Sequence, residues 1–262
     1  MFVIEVPYFN LDQTYESCQC PRWIKLKDSK YVIPFRDKAL KIEQQKDRFL
    51  MSCTEEDFYT TWFEYLDLRT DYFGENDKIK RLGGKFRIPA NRGSGIHILN
   101  QDEFEAYILS KVVSNLGYWK AFHIMNHIAE ACGISHIQSM REDGKITWYE
   151  FPDPAMILEN FDRLRNMGKV NTWLEKLCIA ILNDGFDYTD SDNELFRLFG
   201  LHDTSVFPLA GIEDAIGKNF KCDPSDFAAR YLNSIENKGL VYAYIQHHVI
   251  NPPKEKMLYG AR

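Results

Sequence analysis

The stretch Gly93-Ser94-Gly95-Ile96-His97-Ile98-Leu99-Asn100-Gln101-Asp102-Glu103-Phe104-Glu105 separates two unlike halves of the chain. At its end, Gln101-Asp102 opens a helix that presents Phe104, Tyr107, Ile108 and Val112 on one face. Before it, Phe2 to Phe9, Trp23 to Lys27, Lys30 to Phe35, Ala39 to Glu43 and Phe49 to Cys53 read as short strands. The breaks Asp28-Ser29, Arg36-Asp37 and Lys46-Asp47 suit hairpin turns. Thr54 followed by Glu55, Glu56 and Asp57 reads as an N-cap with an acidic first turn, opening a helix to about Tyr65.

After the stretch the pattern is helical. Gly117 breaks the first helix, and Gly133 ends a second that begins at Tyr118. Pro154, after Asp153, starts another, and Gly168 separates two more. Segments near Ile212 to Gly217, Pro224 to Glu236 and Gly239 to His248 follow, and Asn251-Pro252-Pro253 stops the last. The expectation is an α+β chain. An N-terminal antiparallel sheet domain with a packed helix occupies 1–95, and an all-helical domain occupies 96–262.

Bulk properties narrow the function. The 262 residues are 45% hydrophobic and 27% charged, enough for real cores. No apolar run reaches the roughly 18 residues of a membrane span. Met1 to Tyr8 reads as a strand and not a leader, so a cytoplasmic location is expected. The net charge of -6 disfavours a phosphate-gripping surface, although a local basic face is compatible with it. Cys18 and Cys20 form a lone C-x-C, short of a four-ligand zinc site. His123 and His127 share a helix face without an evident third ligand, and the adjacent His247 and His248 point apart. No metal and no cofactor is implied.

Several segments, in order, resemble the 8-oxoguanine DNA glycosylase family of the helix-hairpin-helix glycosylase superfamily. Phe9-Asn10-Leu11-Asp12-Gln13-Thr14 is similar to its F-x-L-x-x-T, and Cys18-Gln19-Cys20-Pro21-Arg22-Trp23 to G-Q-x-F-R-W. Trp62 to Leu68 with Asp71-Tyr72 is similar to Y-F-D-L…D-Y, and 93–105 to G-x-G-I-R-I-L-x-Q-D-P-F-E. Phe151-Pro152 resembles the F-P-x-P helix start, and Val206-Phe207-Pro208 the V-F-P-V-D turn. The resemblance implies a sheet domain joined to a helical one, with DNA across the cleft and a flipped base in a pocket. It also implies a lysine that attacks the sugar and an aspartate that stabilises the developing charge.

The chain departs from that pattern where the chemistry lies. The family aspartate falls on Ala210 and the lysine near Ser191, and no lysine occurs between Lys176 and Lys218. These residues argue against a Schiff-base lyase. The hairpin L-P-G-x-G is absent. Asn183 to Asn193 instead carries Asp184, Asp187, Asp190 and Asp192 around Gly185 and Thr189, which would repel phosphate; it reads as a solvated acidic loop, with a cation site or a surface for a basic protein partner as the sharper alternative. The segment from Gly168 to Ala210 is short by about one helix. The gap-filling asparagines reduce to Asn115, the pocket glycine becomes Cys18, and the aromatic of F-R-W becomes Pro21.

Cys18, Gln19, Asn115, Tyr242 and Gln246 are the candidate base-pocket residues, beside Tyr244. Glu213, Asp214 and Asp203 are candidate replacement carboxylates, with surface charge as the plain alternative. Tyr118-Trp119-Lys120 could stack on a base or a partner, or simply pack. Three functions compete. One is a divergent DNA-glycosylase-like protein recognising a damaged or modified base or nucleic acid without lyase activity. The second is an N-glycosidase acting on a free modified nucleoside or nucleotide. The third is a non-enzymatic protein-interaction scaffold.

Overall fold

A computed structural model describes residues 1–140, 144–164, 167–185, 187 and 192–251. Ser191, Thr189, Asp190 and the terminal Pro252-Pro253 lie outside the described residues.

The N-terminal half is a five-stranded antiparallel sheet in the order β1-β5-β4-β3-β2. Its strands are β1 (Phe2–Glu5), β2 (Ile24–Lys27), β3 (Lys30–Phe35), β4 (Lys38–Gln45) and β5 (Arg48–Met51). The three expected hairpins form. Ser29, Arg36 and Lys46 take the left-handed backbone that tight hairpins demand. Every residue of β3, which lies between β4 and the edge strand β2, is buried, so this strand is covered on both faces. One cover is helical residues 55–65, made of α2 (Glu55–Asp57), a π turn (Phe58–Trp62) and α3 (Phe63–Tyr65). Phe58, Trp62 and Tyr65 press into the sheet core with Phe49 and Leu40. Thr54 caps this helix by accepting from the Asp57 N–H at 3.0 Å.

A helix not expected from the sequence, α1 (Leu11–Glu16), receives the 93–105 stretch. Asn10 N–H donates to Gly95 O at 2.8 Å, and Gly95 N–H donates to Gln13 Oε1 at 2.8 Å. A Cβ on Gly95 would lie 2.5 Å from the Asn10 Cβ, so only glycine permits this approach.

The helical half holds α4 (Tyr72–Arg81), α5 (Gly84–Arg92), α6 (Glu103–Leu116), α7 (Tyr118–Cys132), α8 (Pro154–Glu159), α9 (Lys169–Asp184), α10 (Glu194–Phe199), α11 (Glu213–Phe220), α12 (Phe227–Tyr231) and α13 (Lys238–Ile250). Asp102 caps α6 and Asp153 caps α8, each through its carboxylate. Helices α4 and α5 give Tyr72, Ile79, Phe86 and Ala90 to the helical core. These two helices lie before residue 96 and pack in the same core as the helices after it. That half also carries a hairpin, β6 (Ser135–Met140) paired with β7 (Gly144–Tyr149), inside the region expected to be all helical. Among the described residues no helix is long and apolar enough to cross a membrane.

The two halves are joined by the segments that suggested the family. Gln19 donates to His97 O at 2.8 Å and accepts from Leu99 N–H at 2.8 Å. Arg22 makes two 2.6 Å bonds to Glu105 and donates to Tyr149 O at 2.8 Å. Within the sheet half, Trp23 Nε1 donates to Tyr65 Oη at 2.8 Å. Tyr72 Oη donates to Asp67 at 2.7 Å and accepts from Ile98 N–H at 2.7 Å.

Candidate functional site

The candidate base-pocket residues fall into three environments. Gln19 is fully buried, and its amide also donates to Ser17 Oγ at 2.8 Å, so its hydrogen bonds are spent on the junction. Cys18, held in the left-handed region, lies close enough to Tyr118 and Tyr242 to help raise both phenols. Burial, with Glu16 nearby, pushes its thiol up to about 11, so it stays protonated and a poor nucleophile. Asn115 stands apart, exposed near the end of α6, with its amide donating to Lys111 O at 2.7 Å.

Tyr242 is fully buried on α13. Its hydroxyl donates to Ala210 O at 3.0 Å and is bonded to the hydroxyl of Tyr118. Burial raises both phenols, so both stay neutral donors at physiological pH. This chain of two tyrosines ends on the backbone of the residue where the resemblance expects the aspartate. It fills space with rings and leaves no carboxylate there. One turn along α13, Gln246 is 1% exposed and its Nε2 lacks a partner among the described residues. Replacing Tyr242 by phenylalanine is expected to lower stability by about 1–2 kcal/mol, because Ala210 O loses its donor and the Tyr118 hydroxyl its acceptor. A fall in thermal midpoint for that variant, absent in one at an exposed tyrosine such as Tyr59, checks it.

The candidate carboxylates sit differently. Glu213 is exposed, yet close enough for its charge to help raise the Tyr118 and Tyr242 phenols. Asp214 is exposed and lies 3.9 Å from Lys218. Asp203 bonds Arg197 at 2.5 Å and Ser205 Oγ at 2.6 Å, and those bonds outweigh burial to hold its carboxyl below the usual range. An ionised, salt-bridged Asp203 is a poor proton acceptor. Ser191, where the lysine was expected, lies outside the described residues. Between α9 and Ala210 the described residues include the six-residue α10.

A groove of about 1020 Å³ opens where α6 ends, α7 begins and α9 starts. Asn115, Lys120, His123, His127, Lys169 and Trp173 are among its lining residues, and none of the described lining residues is acidic. In a chain of net charge -6 that is a local reversal of sign. Gly168, with a φ of 59°, starts α9 without a side-chain cap, so the free N–H groups of a 16-residue helix begin at the groove beside Lys169. The sequence signal for Lys169 was weak, because it is one lysine among many until α9 turns it toward Lys120. His123 and His127 both line the groove, but no group of three or more His, Cys, Asp or Glu able to hold a metal occurs among the described residues.

Comparison with known proteins places these features. Residues 1–107 match the family described as 8-oxoguanine DNA glycosylase, N-terminal domain. The chain superposes on the Clostridium acetobutylicum 8-oxoguanine glycosylase/lyase, solved with double-stranded DNA carrying cytosine opposite 8-oxoG. The TM-score is 0.81 at 19% identity, covering 95% of this chain and 97% of that one. MBOgg1, solved with a low-affinity DNA ligand, gives a TM-score of 0.79 at 19% identity over 94% of both chains. The 3-methyladenine DNA-glycosylase from Archaeoglobus fulgidus is more distant, with a TM-score of 0.67 at 13% identity over 97% of this chain and 100% of that one. No curated protein sequence matches the chain.

Proposed function

We propose that the chain, which matches the family's N-terminal domain over residues 1–107 and shares the fold of its solved members, is a member of the 8-oxoguanine DNA glycosylase family that recognises nucleic acid without lyase activity. The observation that carries this is the Tyr118–Tyr242–Ala210 chain. It ends on the backbone of Ala210, where the family resemblance puts the aspartate, and its two neutral hydroxyls supply neither the amine nor the carboxylate that a lyase needs. What remains open is the groove between α6, α7 and α9. Lys120 and Lys169 can neutralise phosphates there, and the N–H groups at the start of α9 favour an anion. The solved relatives bound to DNA make nucleic acid the natural occupant.

Duplexes carrying 8-oxoguanine and undamaged controls, mixed with the protein at low salt, test this. Binding without strand nicking and without a borohydride-trapped adduct is expected. A trapped adduct would show that a lysine acts and would overturn the reading. Lys120→Ala and Lys169→Ala are each expected to reduce the slope of log affinity against log salt by about 1. Absence of binding under all these conditions would move the assignment to a free nucleotide or a protein partner.

A further inference from the structure

The consecutive residues Tyr118, Trp119 and Lys120 open α7 and leave the helix in three directions. Tyr118 turns inward to Tyr242, and Lys120 lines the groove. Trp119 stays in water, 76% exposed, the most exposed aromatic side chain among the described residues. The other prominently exposed rings have ring neighbours: Tyr8 lies 4.7 Å from Phe73, and Tyr59 lies 5.0 Å from Phe58. Trp119 has no ring neighbour among the described residues. An indole left this bare, beside a lysine that enters a groove free of carboxylates, is a surface waiting for a flat apolar partner next to an anionic one.

We propose that Trp119 is a stacking platform for an unpaired base of single-stranded DNA, whose phosphates run along Lys120 and Lys169. A paired base in a duplex offers only its edge in a groove, whereas an unpaired base offers the π-face an indole can cover. Two features favour the single strand. Tyr242 is fully buried with its hydroxyl spent on Ala210 O, so it does not present itself to a base flipped out of a duplex. Few phosphate contacts suffice once stacking contributes, which suits a chain whose net charge is -6. Trp173 lines the same groove and offers a second indole along the strand. The proposal rests on the nucleic-acid reading of that groove and adds to it the strandedness and the residue that reads it.

The test measures binding of fluorescein-labelled oligothymidylate, about 12 nucleotides long, and of a mixed-sequence duplex by the intact protein and its Trp119→Ala and Trp119→Phe variants. Tighter binding to the single strand is expected, weakened about tenfold by Trp119→Ala and largely kept by Trp119→Phe. Duplex affinity should be the same in all three proteins. Because the side chain is exposed, neither substitution should disturb the fold. Unchanged single-strand binding by Trp119→Ala, with Lys120→Ala still weakened, would overturn the platform and leave the nucleic-acid reading standing. If the intact protein binds neither probe, both fall together.

Discussion

Replacing Arg22 by methionine is expected to lower the unfolding free energy by about 3–5 kcal/mol, the largest loss expected of a single substitution in this chain. The Arg22 and Glu105 side chains are only 5% and 10% exposed, and their two hydrogen bonds are 2.6 Å long. In that setting the Glu105 charge is tolerated only because a planar guanidinium satisfies both its oxygens. Methionine keeps most of the volume but leaves a lone carboxylate in a dry site, and it also strips the donor from Tyr149 O. The pair spans the segment before β2, the first turn of α6 and the end of β7. The effect should therefore appear as loss of the whole fold in one transition. Urea unfolding read by near-ultraviolet circular dichroism measures it. The double variant Arg22→Met with Glu105→Leu should recover most of the loss, since neither charge then remains buried. A single-variant loss below about 1 kcal/mol would mean that the pair behaves as a solvent-screened surface bridge.

Acidification from pH 7 to pH 4 is expected to cost about 3 kcal/mol through His97 alone. The ring is 2% exposed, stacked 3.8 Å from the Tyr72 ring, with Nδ1 3.1 Å from Leu66 O and Nε2 without a partner among the described residues. Burial pushes its pKa from 6.5 down to about 4, against small opposing contributions from the Leu66 carbonyl and Asp67. Between those two values the unfolded chain binds the proton and the folded chain does not, so stability is lost as pH falls. His202 acts in the opposite sense. Burial disfavours its charge, but Asp67, 3.5 Å away, outweighs burial and raises its pKa. Its contribution is present below the unfolded value of 6.5 and is lost as pH rises through the folded value. Asp67 is held low against burial by His202 and Tyr72, so its contribution fades only as pH falls through its depressed folded value. Stability should therefore peak near neutrality, with His97 steepening the acid side. His97→Gln should flatten the acid slope, and His202→Asn should remove the decline on the alkaline side. Equal acid slopes for the intact protein and His97→Gln would sink the assignment.

The retained and lost segments obey one physical division. Thr14, Gln19, Arg22, Tyr72 and Glu105 carried the resemblance and are committed to the junction between sheet and helices, while Trp23 is committed to the sheet core through Tyr65. Losing any of them would leave a buried polar group unpaired or a core ring unseated. Ala210 and Cys18 sit where a substitution need only be compatible with packing. Such a surface can change chemistry while the scaffold persists.

The sequence by itself determined the five strands, their three hairpin turns and the caps at Thr54, Asp102 and Asp153. All of these are local: a period of two, a turn residue or a cap acts over a few positions. It did not reveal α1, the β6–β7 hairpin or the membership of α4 and α5 in the helical core, because burial and pairing with distant segments decide them. Tertiary structure alone decided that Gln19 serves the junction, that Tyr118 and Tyr242 meet across 124 positions to end on Ala210, and that Lys120 and Lys169 share a groove. Those contacts join residues whose local patterns are unremarked. A hydroxyl or an ammonium gains its role only from what packing brings opposite it.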